Sequence, residues 1–127
     1  KMRLFFFFFI ITKKIAVTYA DGQVYQHFGH AAQFKLYTVE SGMILDTAVV
    51  DATASGHSAM VSYLQRQGVN TVICGGIGGG AVSALAGTGI RLFAGATGSA
   101  DQAVLALLAG KLVHNPEAAK GHCGGHH

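Results

Sequence analysis

The spacing of apolar and polar positions changes once along the chain, from strand-like alternation before residue 52 to mixed strand and helix periods after it. The run KIAVTYADG, from Lys14, is apolar and β-branched and closes on Asp21-Gly22, which predicts a strand ending in a turn. Between residues 33 and 39, Phe34, Leu36 and Thr38 alternate with Lys35, Tyr37 and Val39, a second strand. Glu40-Ser41-Gly42 is turn-like and residues 43–51 are again extended, so strands two and three should form a hairpin. Helical spacing then sets in: Met60, Val61, Tyr63 and Leu64 fall on one face of residues 58–67, and Gly68 suits a C-cap. VNTVIC, residues 69–74, reads as a short buried strand followed by a glycine loop over 75–80 and a short helix over 81–86. IRLFAG, residues 90–95, is a fifth strand. Ser99-Ala100-Asp101-Gln102 is a capping box opening a helix that carries Val104, Leu105, Leu107, Leu108 and Leu112. Pro116 is expected to end the ordered structure.

The order β-β-β-α-β-α-β-α is a meander followed by crossovers, which are right-handed as a rule. With the first strand central, it predicts an α/β, ribonuclease-H-like three-layer fold. Its sheet is mixed and five-stranded, of order 3-2-1-4-5, with strand 2 antiparallel. In that topology the loops after strands one, three, four and five leave the sheet at one edge, and a crevice opens there between strands one and four.

The residues placed on that edge carry chemistry. His27-Phe28-Gly29-His30 follows strand one, Gly56-His57 follows strand three, Cys74 ends strand four before its glycines, and Gly95-Ala96-Thr97-Gly98 follows strand five. Imidazole and thiolate are the ligands that borderline metals and iron-sulfur clusters take. His27, His30 and Cys74 are therefore candidate metal ligands, with His57 beside them. The backbone N–H groups of Gly75, Gly76 and Gly78 are candidates for an anion-binding nest. Plain structural readings compete: His30 as a cap, His57 as a loop residue, Cys74 as a small buried hydrophobe. The tail adds His122, Cys123, His126 and His127, a metal-binding composition that competes with a chain end or, for the last pair, a purification-tag remnant.

Composition narrows the choice. Of 127 residues 50% are hydrophobic and 12% charged, far from the regime of disorder, so one compact domain is expected. At this length about two thirds of the unfolded surface can be buried, and folding needs neither metal nor disulfide. The net charge of +3 resides in Lys1, Arg3 and Lys13; from Lys14 onward six basic residues balance six acidic ones. Without a basic stripe, nucleic acid is not an expected partner. The two distant cysteines fit reducing cytoplasm better than a disulfide framework.

Residues 1–13 hold eight consecutive apolar residues, Leu4 to Ile11, between basic ones. They lack a signal-peptide cleavage site and fall short of the roughly 20 residues of a membrane span. Lys1 precedes Met2, and we expect this segment to be a cloning artefact outside the fold, with an extra strand, an interface segment or targeting as the competing readings. The domain proper is expected over residues 14–115 and a flexible Gly/His/Cys tail over 116–127.

Three enzyme-like readings are weak. Gly76-Ile77-Gly78-Gly79-Gly80-Ala81 fits G-x-G-x-x-A, but the next strand ends in Ala94-Gly95 without the acid that would hold a ribose. Two-metal phosphoryl transfer needs clustered carboxylates, and strand one and the first helix have none. A Cys74 hydrolase with His27 or His57 lacks an orienting acid at a predictable position.

KIAVTYADGQVYQHFGHAAQF, the Gly56-His57 step, the stretch VNTVICGGIGGGAVSALAGTGIRLFAGATGSADQAV and the Gly/His/Cys tail together resemble the dinitrogenase iron-molybdenum cofactor biosynthesis family of NifX-like proteins. The resemblance runs from Lys14 to the tail, and HFGHA and the GGIGxGA-type loop are its most specific parts. It implies the ribonuclease-H-like fold and a non-catalytic carrier or chaperone of an iron-sulfur or iron-molybdenum-type cluster. His27, His30 and Cys74, and then His57, would contact the cluster. The partners would be the cluster cargo and a cluster-assembly or acceptor metalloenzyme, with no membrane. Alternative functions are a small-molecule module holding a phosphate or nucleotide, and a docking domain for a larger metalloenzyme.

Overall fold

The computed structural model describes residues 12–52 and 57–120, and only the backbone of His57 and Lys120. The expectation for residues 1–13 falls almost wholly outside this range, but Lys13 belongs to the domain: it opens the central strand β1 (Lys13–Ala20) and pairs with Val39. β1 is antiparallel to β3 (Gln33–Glu40) on one side and parallel to β5 (Thr71–Ile73) on the other. β4 (Met43–Asp51) extends the sheet beyond β3, and β6 (Arg91–Phe93) extends it beyond β5. The path is β4-β3-β1-β5-β6. A sixth strand, β2 (Gln23–Val24), folds back on the end of β1, so the five-stranded expectation is corrected to six. Two residues are too short to carry a hydrophobic period, and β2 is held by backbone bonds such as Val24 N–H to Gly98 O (2.8 Å).

Among the described residues three helices complete a mixed α/β fold: α1 (His57–Arg66), α2 (Gly79–Ala86) and α3 (Ala100–Leu108). One sheet face, with Ala16, Phe34, Leu36 and Val72, packs on Met60, Val61 and Leu64 of α1 and Ala81 and Leu85 of α2. The opposite face, with Ile15, Val17, Tyr37, Val39 and Ile73, packs on Ala100, Ala103 and Val104 of α3. Helices on both faces explain why Ile15, Ala16, Val17 and Thr18 are all buried, a continuous buried run of the kind found in strands covered on both sides. β4 is one edge of the sheet, and there Met43, Leu45 and Val49 remain exposed.

Local chemistry sets the element ends. After α1, the Gly68 N–H donates to Gln65 O and the Val69 N–H to Leu64 O, a Schellman closure at the expected glycine. Ser99 Oγ accepts from the Gln102 N–H at 3.2 Å and caps α3. The Lys111 N–H donates to Ala106 O and the Gly110 N–H to Leu107 O, so Leu112, expected on the helix, lies beyond its end. Tyr37 donates its hydroxyl to Asp101 Oδ1 at 2.6 Å, and the Lys35 ammonium donates to the same oxygen at 2.9 Å, tying β3 to the first turn of α3. Burial first, and then this bond, pushes the Tyr37 hydroxyl far above its ordinary pKa, while the bonds from Tyr37 and Lys35 hold the Asp101 carboxyl below its own.

Pro116 does not end the ordered chain. Asn115 Oδ1 accepts from the Glu117 N–H at 3.0 Å, and a 3-10 turn, Ala118–Lys120, follows. Asn acts as the cap and Pro, which lacks an N–H, occupies a first-turn position where none is needed. Among the described residues no helix is long and apolar enough to cross a membrane.

Candidate functional site

The chain beyond β2 is laid along the glycine loop by backbone bonds. The Gly75 N–H donates to Tyr25 O (3.4 Å), the Gly76 N–H to Gln26 O (2.6 Å), and the Phe28 N–H to Gly76 O (2.9 Å), with a parallel bridge between His27 and Gly76. A Cβ on Gly75 would lie 2.7 Å from the Cα of Gln26, so only glycine allows the two backbones to approach this closely. Buried Thr18 adds a tie, its hydroxyl donating to Tyr25 O at 2.8 Å.

A 3-10 helix, Phe28–His30, then turns the chain. Phe28 is 1% exposed and packs against Phe34 with ring centroids 6.0 Å apart, while His27 and His30 on either side are exposed. Their rings stand 6.2 Å apart between centroids at 80°. Both face an open cavity of about 750 Å³, whose lining also includes Gly76, Ile77, Gly78 and Ala118. Gly78 is the N-cap of α2 and offers no side chain to cap it. The first-turn N–H groups of that helix, which have no intrahelical acceptor, start at Gly79, and Gly80 and Ala81 also line the cavity. The expected glycine loop is thus shortened, because Gly79 and Gly80 are already helical.

The expected site residues divide. His27, His30, Gly76 and Gly78 come together at the cavity. Gly75 is spent on backbone packing and Cys74 is fully buried; neither lines the cavity. Cys74 sits in the core beneath α1 and α2, its N–H donating to Phe93 O at 3.0 Å and its carbonyl accepting from Ala96 N–H at 3.0 Å. Burial pushes its thiol up to about 12, which fits the reading of Cys74 as a small buried hydrophobe. In a Cys123→Ser variant at pH 8, iodoacetamide should leave Cys74 unmodified in the native protein and alkylate it only in denaturant; native-state alkylation would contradict the burial. The side chain of His57, which opens α1, and all of His122, Cys123, His126 and His127 lie outside the described residues. Among the described residues, no three or more His, Cys, Asp or Glu side chains are grouped to share a metal ion.

The far wall of the cavity was not anticipated from the sequence. His114 Nδ1 accepts from the Ala94 N–H (3.1 Å), the Asn115 N–H donates to Ala94 O (2.9 Å), and the Ile77 N–H donates to Ala118 O (3.1 Å). These bonds bring Glu117 and Ala118 to the cavity beside the histidines. Gly95, at φ +88°, lets Asn115 pass so close that a Cβ would meet Asn115 Cβ at 2.6 Å. The one signal for this return was the Asn115-Pro116 step, a turn-initiating dipeptide.

An uncharacterized protein of Methanocaldococcus jannaschii is 29% identical over 104 residues, covering 78% of this chain and 88% of its own. The crystal structure of the protein designated PH0822 superposes with a TM-score of 0.75 at 23% identity, over 83% of this chain and 96% of the other. The apo form of the orange protein from Desulfovibrio gigas gives a TM-score of 0.69 at 28% identity, over 81% of this chain and 92% of that one. The family model described as dinitrogenase iron-molybdenum cofactor matches residues 12–110, the whole sheet and all three helices. The HFGH turn and the glycine loop that build the cavity lie within that match, and the chain belongs to the dinitrogenase iron-molybdenum cofactor family.

Proposed function

We propose that this protein is a non-catalytic carrier or chaperone for an iron-sulfur or iron-molybdenum-type cluster, held at the cavity by His27 and His30. The observation that carries the reading is the pair of exposed imidazoles, 6.2 Å apart, at the mouth of a glycine-walled cavity of about 750 Å³. That volume falls in the range of small-ligand sites. A cluster bearing negative charge would sit against the N-terminal turn of α2, where the helix dipole favours anions. Two imidazoles are a sparse ligand set for such a cargo. Sparse ligation suits transfer, because the remaining coordination positions stay open to an assembly or acceptor metalloenzyme. We read the sheet order as the ribonuclease-H-like arrangement, in which such a crevice lies where the connections leaving the parallel neighbours β1 and β5 turn to opposite sides of the sheet. Reducing cytoplasm is the compartment in which such a cluster would persist.

Anaerobic reconstitution with iron and sulfide, followed by metal analysis and visible absorption, tests the reading. The His27→Ala/His30→Ala variant should retain about one tenth or less of the wild-type iron. Equal uptake would sink the site. Thermal stabilisation by phosphate or nucleotides with none by clusters would instead favour a small-molecule module.

A further inference from the structure

We infer that a second cavity, at the opposite end of the sheet from the histidines, binds a small organic anion: a carboxylate or phosphate head on an apolar body. The site is separate from the cavity of the preceding reading and does not depend on it.

This cavity, of about 570 Å³, lies where the parallel strands begin. Lys13 opens β1, Thr71 opens β5 with Asn70 just before it, and Arg91 opens β6; all four line the cavity. The ladder sets Ile15 beside Thr71 and Thr71 beside Arg91. Lys13, two residues before Ile15, points to the same side of β1, so Lys13, Thr71 and Arg91 share the sheet face that α3 covers. Leu107 and Leu108, in the last turn of α3, supply an apolar wall. At about 4.8 Å between strands and about 3.3 Å per residue, the Cα atoms of Lys13 and Arg91 are about 12 Å apart, so their long side chains can converge on one group.

The donors gathered there lack acceptors. Thr71 is 5% exposed, and its hydroxyl has no hydrogen-bond partner among the described residues. No unpartnered polar side-chain atom among those residues is sealed from solvent, so this hydroxyl opens onto the cavity that Thr71 lines. Asn70 Oδ1 accepts from the Lys14 N–H at 2.7 Å, which fixes the amide and leaves both Nδ2 hydrogens for a ligand. The Arg91 guanidinium carbon lies 5.1 Å from the centroid of the Phe93 ring, and neither Arg91 nor Lys13 pairs with a carboxylate among the described residues. No acidic side chain of those residues lines the cavity. The last-turn carbonyls of Leu105, Ala106 and Leu107, which would repel an anion, are already taken by the N–H groups of Ala109, Lys111 and Gly110.

Two unpaired cations beside neutral donors select an anion, and the guanidinium fork suits a carboxylate or a phosphate. The leucine wall selects an apolar body behind that head, and the volume is that of a small-ligand site.

Calorimetric titration of the full chain with 4-phenylbutyrate, 4-phenylbutyl phosphate, neutral 4-phenylbutyramide and acetate tests this, with amide NMR shifts to locate binding. At least one of the two amphipathic anions should bind with a Kd below about 1 mM, and the tighter of them identifies the head. The amide and acetate should each bind at least tenfold more weakly. Arg91→Gln should weaken the anion at least tenfold and leave the amide unchanged; Lys13→Gln, on an exposed side chain at the strand start, repeats the test. Thr71→Val, which keeps the shape, should weaken the anion about threefold. His27→Ala/His30→Ala should bind it as the wild type does. The inference is overturned if neither anion binds, if the amide or acetate binds as tightly as the anion, or if Arg91→Gln and Lys13→Gln both keep full affinity. It is overturned equally if the shifts centre on the 27–30 turn instead of the starts of β1, β5 and β6. Iron uptake in reconstitution reads the other cavity, so either reading can fail alone.

Discussion

Gly75→Ala is expected to destabilise the fold by about 3 kcal/mol or more, at the upper end of what overpacking costs. The added methyl would lie 2.5 Å from Gln26 Oε1 and 2.6 Å from its Cδ, and these side-chain atoms could move, though only by giving up the bonds from Gln26 Nε2 to Val24 O (3.0 Å) and Ala96 O (3.1 Å). The contact at 2.7 Å with Gln26 Cα cannot be relieved by a rotamer, because that atom is backbone. Relief requires the segment around Gln26 to lift from the glycine loop, which breaks the Gly76 N–H to Gln26 O bond and carries His27 away from the cavity. Urea unfolding followed by circular dichroism measures the cost. The comparison is Gly78→Ala, where a Cβ meets nothing within 4 Å and φ is −79°, so that the change should cost well under about 1 kcal/mol. Equal midpoints for the two variants would mean that the close approach at Gly75 is not needed.

The contrast between those two glycines marks how far the sequence could be read. The alternation around Phe34 and the caps at Gly68 and Ser99 are local signals, and the structure places β3, the end of α1 and the start of α3 on them. The HFGH turn and the glycines after VNTVIC were legible as segments that meet at one edge of the sheet, and His27, His30, Gly76 and Gly78 do line one cavity. Their division of labour was not, since it depends on which backbone lies beneath which. Cys74 is instructive. Strand period two puts it on the same face as Val72, both in the core under α1 and α2, so its inward orientation was available from alternation alone. Of the two readings of Cys74, the ligand reading followed residue type and the buried-hydrophobe reading agrees with the side it faces. β2 and the turn after Pro116 carry too few residues for any period, and both are held by backbone bonds to distant parts of the chain, at Gly98 and Ile77.

Phe28→Ala should cost about 3–5 kcal/mol, a large share of the roughly 5–15 kcal/mol that holds a domain of this kind together. The ring is 1% exposed and lies with Phe34 in the core beneath α1 and α2, so truncation leaves a void bounded by two secondary-structure layers that cannot both collapse into it. Phe28→Leu keeps most of the volume and should cost about 1–2 kcal/mol. The functional consequence follows from position. His27 and His30 have exposed rings, so Phe28, between them in the chain, is the large buried side chain that anchors the turn from below, with Ala31 beside it at its end. In a folded population at low temperature, Phe28→Ala should therefore lose metal affinity by a larger factor than Phe28→Leu, although neither change removes a ligand. Full iron uptake by folded Phe28→Ala would show that the backbone bonds to Gly76 suffice to hold the imidazoles. A loss that tracks the size of the side chain would show that the core under the turn sets the geometry of the site above it.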